Sequence, residues 1–165
     1  MPPAWLLEDI DESWRPMRPD TSLMTYANET KVPVDRSRAE IEKTLAKFGA
    51  DHFGYSSSAF EAAVGFHAKG RLIRFRLPLP NRANYRSQES HAQAVRAAWR
   101  ALALSIKAKV VAVESKIVTF EEEFLAQTVM PDGITAAEHV LPKIKDAYAQ
   151  RRPVALLPNF TPDQS

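Results

Sequence analysis

FEAAVGFHAKGRLIRFRLP, residues 60–78, is the stretch whose reading decides the fold. Two runs with strand character, Phe60–Ala68 and Arg71–Leu77, are separated only by Lys69-Gly70, and glycine beside a polar residue between two such runs is the signature of a tight hairpin. In the second run Arg71, Ile73, Phe75 and Leu77 alternate with Leu72, Arg74 and Arg76. Side chains leave a strand on alternate sides, so Arg74 and Arg76 point away from the face that carries Ile73 and Phe75. Pro78-Leu79-Pro80-Asn81 then stops the strand, since proline cannot donate to a ladder.

A third strand precedes the hairpin at His52–Ser57, which makes an antiparallel meander. Upstream, the spacing predicts a helix over about Arg36–Phe48. Asp35 or Ser37 can cap it, the latter with Glu40 in a capping box. Ile41, Leu45 and Phe48 share one face, and Gly49 ends the helix in the left-handed conformation.

Downstream, a loop holding Arg82, Tyr85 and Arg86 leads into the longest helix, about Gln88–Lys116, capped by Ser87. Ala92, Val95, Trp99, Leu102, Ile106, Val110 and Val113 recur every three or four residues, and at 100° per residue they occupy an arc of about 80°. Arg96, Arg100 and Lys107 fall in a separate arc of about 40° beside it. Thr119 with Glu122 and Thr135 with Glu138 are capping-box pairs, so two shorter helices follow. The first carries Phe120, Phe124, Leu125 and Val129. The second carries Val140, Leu141, Ile144 and Tyr148 and is expected to kink or restart at Pro142. Met130-Pro131-Asp132-Gly133 between them reads as a turn. The fold class is α+β: helix, three-stranded antiparallel meander, long helix, then two shorter helices.

Residues 1–33 read as an N-terminal arm, 34–150 as a single domain and 151–165 as a proline-rich tail. Prolines 2, 3, 16, 19 and 33 interrupt the arm, yet Trp5 and Trp14 belong to a short amphipathic stretch with Leu6, Leu7 and Ile10. Tryptophan surface gains by burial, so the arm is expected to pack on its own domain, on a partner, or on a second copy as a route to a homo-oligomer.

Charge is distributed unevenly. His67–Lys116 holds eleven Lys and Arg against Glu89 and Glu114, a net +9, whereas residues 1–30 carry −4 and residues 117–165 carry −3. The overall +2 therefore conceals a basic middle, which is where a polyanion is expected to bind. At 165 residues the chain is long enough to bury a proper core, and 45% hydrophobic with 25% charged residues is ordinary for a folded protein. The absence of cysteine excludes disulfides, thiolate metal sites and a cysteine nucleophile. No apolar run reaches the roughly 18 residues of a membrane span, and the N-terminus lacks the pattern of a secretory signal.

Three stretches also resemble a family of small proteins of tailed bacteriophages and prophages to which no function is assigned: VPVDRSRAEIEKTLAKFGA at 32–50, IRFRLPLP at 73–80, and WRALALSIKAKVVAVESKIVTFEEEFLAQTVMPDG at 99–133. The similarity covers about residues 30–158 and leaves the arm outside. It implies work in the host cytoplasm, on nucleic acid or on a host protein, and it supplies no catalytic or binding residues.

Arg74, Arg76, Arg82 and Arg86 form the first candidate site, because the planar guanidinium fork donates two parallel hydrogen bonds to phosphate. Tyr85 between two of them can stack on an unpaired base. Arg96, Arg100 and Lys107 add a second basic edge, and if sheet and helix pack together the two edges make one surface. The order helix, three strands, helix is also that of the double-stranded RNA-binding module, an analogy of element order alone.

Catalysis is not expected. Glu121, Glu122 and Glu123 are consecutive in a helix and point in different directions, so they cannot converge on one metal ion. Glu114-Ser115-Lys116 has the local form of a nuclease element but ends a helical pattern. His52, His67, His91 and His139 lack the spacing of helical metal ligands, and no phosphate-binding glycine loop or nucleophile elbow is present. The leading expectation is a nucleic-acid-binding accessory protein of phage replication, recombination or expression, without cofactor, metal or membrane. The rival is an interaction protein that inhibits or redirects a host factor.

Overall fold

In a computed structural model, residues 30–152 are described. Residues 1–29, which hold Trp5 and Trp14 of the arm, and residues 153–165 of the tail lie outside the described residues.

The architecture is the expected α+β order. Helix α1 spans Val34–Lys47, strands β1, β2 and β3 span Asp51–Ser57, Glu61–Ala68 and Arg71–Pro78, and the long helix α2 spans Gln88–Glu114. Helices α3, Phe120–Phe124, and α4, Ala136–Gln150, follow. The sheet is an antiparallel meander in the order β1-β2-β3. Its β2–β3 turn places Lys69 at φ 49° and Gly70 at φ 72°. Both residues are left-handed, as a two-residue turn matched to the twist of the strands requires.

One face of the sheet is the core. Ala62, Val64, Phe66 and Ala68 of β2, with Ile73 and Phe75 of β3, are buried against Ile41 and Leu45 of α1 and against Trp99, Leu102, Ile106 and Val110 of α2. Trp99 is 1% exposed, and the Arg38 guanidinium of α1 lies 4.4 Å from its ring centre. Phe120 and Phe124 of α3 close one end of this core, their rings 5.0 Å apart, with Phe48 stacked on Phe120.

Local capping chemistry sets most boundaries. Ser87, Thr119 and Thr135 each accept a hydrogen bond from the backbone N–H three residues on, and each N–H of these caps is answered by the N3 side chain. In α2 that N3 residue is Ser90.

Four local expectations are corrected. Helix α1 starts before the expected caps: Pro33, whose φ is fixed near the helical value, takes the N-cap position, and its carbonyl accepts from Arg36 and Ser37. Ser37 is therefore an interior residue, fully buried, with its hydroxyl unpartnered. Helix α2 stops at Glu114, two residues early, as Lys116 turns left-handed at φ 58°. Helix α3 gives way to a 3-10 turn at Leu125–Gln127, which leaves Leu125 exposed. The β-branched Thr128 and Val129 then run beside β3, where the Val129 N–H donates to Leu72 O at 2.8 Å. Finally, α4 passes through Pro142 without restarting. Proline removes a single helical hydrogen bond, that to the carbonyl of Glu138, in a turn that solvent reaches.

Candidate functional site

Arg74 and Arg76 leave β3 on the face opposite the core, in register with Gly65 and Ala63 of β2. The small neighbours leave space above the strand, and the first turn of α4 brings Glu138 into it. This carboxylate is the N3 residue of the α4 capping box, where one oxygen accepts from the Thr135 backbone N–H at 2.8 Å and from its hydroxyl at 2.7 Å. The same carboxylate takes Arg74 Nη2 at 3.1 Å and Arg76 Nη1 at 2.8 Å. Glu61 of β2 holds the other side of Arg76, accepting from Nε at 3.1 Å and Nη2 at 2.9 Å.

The electrostatics follow from that geometry. The Thr135 backbone N–H, then its hydroxyl, then Arg76 and Arg74 hold the Glu138 carboxyl down at about 2, against a partial loss of hydration. Glu61 first, and Glu138 second, push the Arg76 guanidinium further up. A carboxyl held at about 2 remains ionised at neutral pH and is suited neither to accepting nor to delivering a proton there. This cluster is a static ionic clasp between β3 and α4.

The helix residues are paired as well. Arg96 donates to Glu89 at 2.7 Å and to Gln93 at 2.6 Å, and Arg100 is joined to Glu40 of α1. Lys109 is held by Glu123 at 2.9 Å. In the loop, Asn81 caps a 3-10 turn at Arg82–Asn84, and Arg82 Nη1 donates to the Tyr85 carbonyl at 2.7 Å. The Tyr85 ring is half-buried and meets His91 edge-on, with 5.5 Å between ring centres. Arg86 and Lys107 are exposed and make no ion pair among the described residues.

These positions do not make one basic surface. Trp99, Leu102 and Ile106 pack α2 on the Ile73–Phe75 face of the sheet, whereas Arg74 and Arg76 stand on the other face. The sheet therefore lies between the strand pair and the helix pair, Arg96 and Arg100. Sequence reasoning found the basic residues and missed their partners, because Glu138, Glu61 and Glu40 come from outside the basic window. The capping-box spacing identified Glu138 as a cap, but no local signal shows that it also binds two arginines across the fold.

Among the described residues, no three or more His, Asp or Glu side chains are grouped to hold a metal ion. An open hollow of about 540 Å³ lies between the β2–β3 turn and the α2–α3 connection, lined by Lys69, Lys116, Ile117 and Thr119 among others. A second, about 320 Å³ and almost wholly apolar, lies on the outer sheet face over Gly54, Ser56, Ala63 and Gly65. Neither encloses a ligand-sized volume lined by converging polar groups, the usual form of a small-molecule site. No helix among the described residues is long and apolar enough to cross a membrane.

Helix α4 has a feature that the sequence pattern did not foretell. The sequence places four apolar residues in this helix, Val140, Leu141, Ile144 and Tyr148, yet no residue of α4 is buried. Leu141 is 61% exposed and Tyr148 71% exposed, with Ile144 between them on the same face. Comparison with known proteins adds no relative, as no family model, curated protein or solved structure matches the chain.

Proposed function

We propose that this protein acts by docking on another protein, with α4 as the element that makes the contact. The observation that carries this reading is the exposed stripe Leu141–Ile144–Tyr148 on a helix in which no described residue is buried. The Thr135–Glu138 box and the clasp on Arg74 and Arg76 fix the direction of the helix. Beyond its first turn the helix presents apolar side chains spaced i, i+3 and i+7, the spacing by which an amphipathic helix enters a hydrophobic groove. Tyrosine at the end of such a stripe suits an interface, having an apolar body and a polar tip. The resemblance to proteins of tailed phages supports a host-cell factor as the partner, one that the protein inhibits or redirects.

The test is a triple substitution, Leu141→Lys, Ile144→Lys and Tyr148→Lys, in the full chain. Circular dichroism and melting temperature should change little, since these side chains are not part of the core. Proteins captured from host extract by the wild type should be absent from the variant's eluate. An unfolded variant would show that the stripe serves the protein's own fold, and identical captures would show that α4 is not the contact.

A second reading, binding of nucleic acid, is supported by the loop before α2. Arg86 has no carboxylate partner there, and Tyr85 and Arg82 are adjacent. Binding at this loop would rest on few phosphate contacts, so its affinity should fall with salt by a slope of roughly one per contact. Fluorescence anisotropy with single- and double-stranded DNA and RNA at two salt concentrations tests it. Loss of salt-sensitive binding in Arg86→Glu supports the reading, and binding unchanged by that substitution removes it.

A further inference from the structure

We infer that β1 is a self-association edge, at which two copies of this chain pair their β1 strands antiparallel about a two-fold axis through Ser56. The two edges of the sheet are treated differently. Beside β3 the chain lays down Thr128 and Val129, and the Val129 N–H donates to the Leu72 carbonyl of that edge. No strand among the described residues pairs with the outer edge of β1.

Hydrogen-bond phase shows which groups are left over. Ser58 N–H donates to Glu61 O at 2.7 Å, so Ser58 and Glu61 are a hydrogen-bonded pair. Such pairs alternate along an antiparallel ladder. With Ser57 opposite Ala62, Ser56 opposite Ala63 and Tyr55 opposite Val64, the inward-bonded residues of β1 are Ser56 and Gly54. The N–H and C=O groups of Tyr55 and Ser57 therefore point outward from the sheet.

Natural edges that stay single are protected by charge, proline, a bulge or a cover, and β1 has such protection only at its start, where Asp51 stands and the bulge between Asp51 and Gly54 falls. From Phe53 to Phe60 the chain reads FGYSSSAF, with no charge and no proline. The edge also offers no steric bar on the outer face, where Gly54 and Ser56 stand beside Ala63 and Gly65.

A second copy fits this edge because the leftover groups are complementary under two-fold symmetry. An axis at Ser56 sets Tyr55 opposite Ser57 of the second copy, and Ser57 opposite its Tyr55. All four outward donors and four outward acceptors of the two strands then form four hydrogen bonds, and the two sheets become one of six strands. Registers centred on Tyr55 or on Ser57 leave one of these residues facing a position that the bulge between Asp51 and Gly54, or the turn after Ser57, removes from the ladder.

The chain contains no cysteine, so a single introduced thiol reads the register directly. The axis brings the two Ser56 residues together as a non-hydrogen-bonded pair, Cα atoms about 4.5 Å apart, within the span a disulfide bridges. Full-length Ser56→Cys under mild oxidation should give a covalent dimer. Ser57→Cys, whose counterpart is Tyr55, should give far less. Sedimentation of the wild type from low micromolar to near-millimolar concentration should show a monomer–dimer equilibrium. Ser57→Pro should shift it to monomer with unchanged circular dichroism, because the N–H it removes serves only the partner. A wild type that stays monomeric throughout and a Ser56→Cys that does not cross-link would overturn the inference and leave the edge for a strand of another protein. A dimer indifferent to Ser57→Pro would also overturn it, placing self-association elsewhere, as on the N-terminal arm.

Discussion

Replacing Trp99 by alanine tests the packing on which every other position depends. The indole is 1% exposed and sits where α2 crosses the core face of the sheet, with the Arg38 guanidinium of α1 over its ring at 4.4 Å. Emptying a buried aromatic site costs about 3–5 kcal/mol. The stacked guanidinium adds about 0.5–2 kcal/mol that is lost with the ring. A domain of this size has a total stability of roughly 6–18 kcal/mol, so Trp99→Ala should remove a large share of it. Urea unfolding at pH 7 should show a much lower midpoint with an unchanged slope. A double-mutant cycle with Arg38→Ala separates the terms: the coupling energy reports the cation–ring contact, and the remainder reports the cavity. A Trp99→Ala cost under about 1.5 kcal/mol would refute the central position of Trp99 in the α2–sheet interface. A coupling near zero, with a full cavity cost, would refute only the Arg38 contact.

Ser37→Ala should leave stability unchanged or raise it by up to about 1–2 kcal/mol, because the buried hydroxyl has no partner and its removal ends an unpaid desolvation; a loss of stability in thermal melts would mean that the hydroxyl is satisfied. The Glu138 carboxyl is ordinarily near 4.5 when unfolded and about 2 when folded, so its contribution is complete above about pH 5 and disappears as pH falls toward 2. The stability difference between the wild type and Glu138→Gln should close over that window, and a difference that stays constant from pH 6 to pH 2.5 would contradict the clasp. Gly70→Val places a β-branched residue at φ 72° and should destabilise by more than about 1 kcal/mol, whereas Gly70→Asn should be tolerated better; equal effects in urea titrations would rule out the left-handed turn. Deleting residues 1–29 should leave a cooperatively folding core, and a truncated chain that fails to fold would move the domain boundary into the arm.

Much of the fold was legible because the forces that set it are local. The turn at Lys69-Gly70, the alternation through Arg71–Leu77, the Trp99 stripe and the caps at Ser87, Thr119 and Thr135 each depend on residues within a few positions of one another. Period and capping chemistry alone therefore determined the α+β order and the face of each main element. Where local rules compete, the sequence is ambiguous: Ser37 has the form of a cap, but Pro33 reaches the N-cap position first and leaves Ser37 in the core.

The candidate site was less legible, because charge pairing takes no account of distance along the chain. The sequence places Arg74, Arg76, Arg96 and Arg100 in one basic window. Their carboxylates come from 64, 62 and 60 positions away for Glu138 with Arg74, Glu138 with Arg76 and Glu40 with Arg100. Folding interposes the sheet between the strand arginines and the helix arginines, so these four fall in separate ion-paired clusters, while Arg86 and Lys107 of the same basic window make no ion pair among the described residues. An apolar stripe such as Leu141–Ile144–Tyr148 likewise shows only that a helix has a side that gains by burial. Whether that side is covered depends on what the rest of the chain places against it, and here the first turn of α4 is clasped while Leu141, Ile144 and Tyr148 stay exposed. By itself the sequence determined the elements and their faces, through interactions that act within a few residues. Only the tertiary structure decided which charges are paired, which sheet edge lacks a neighbouring strand among the described residues and which apolar face stays exposed, because each is set by groups brought together from distant parts of the chain.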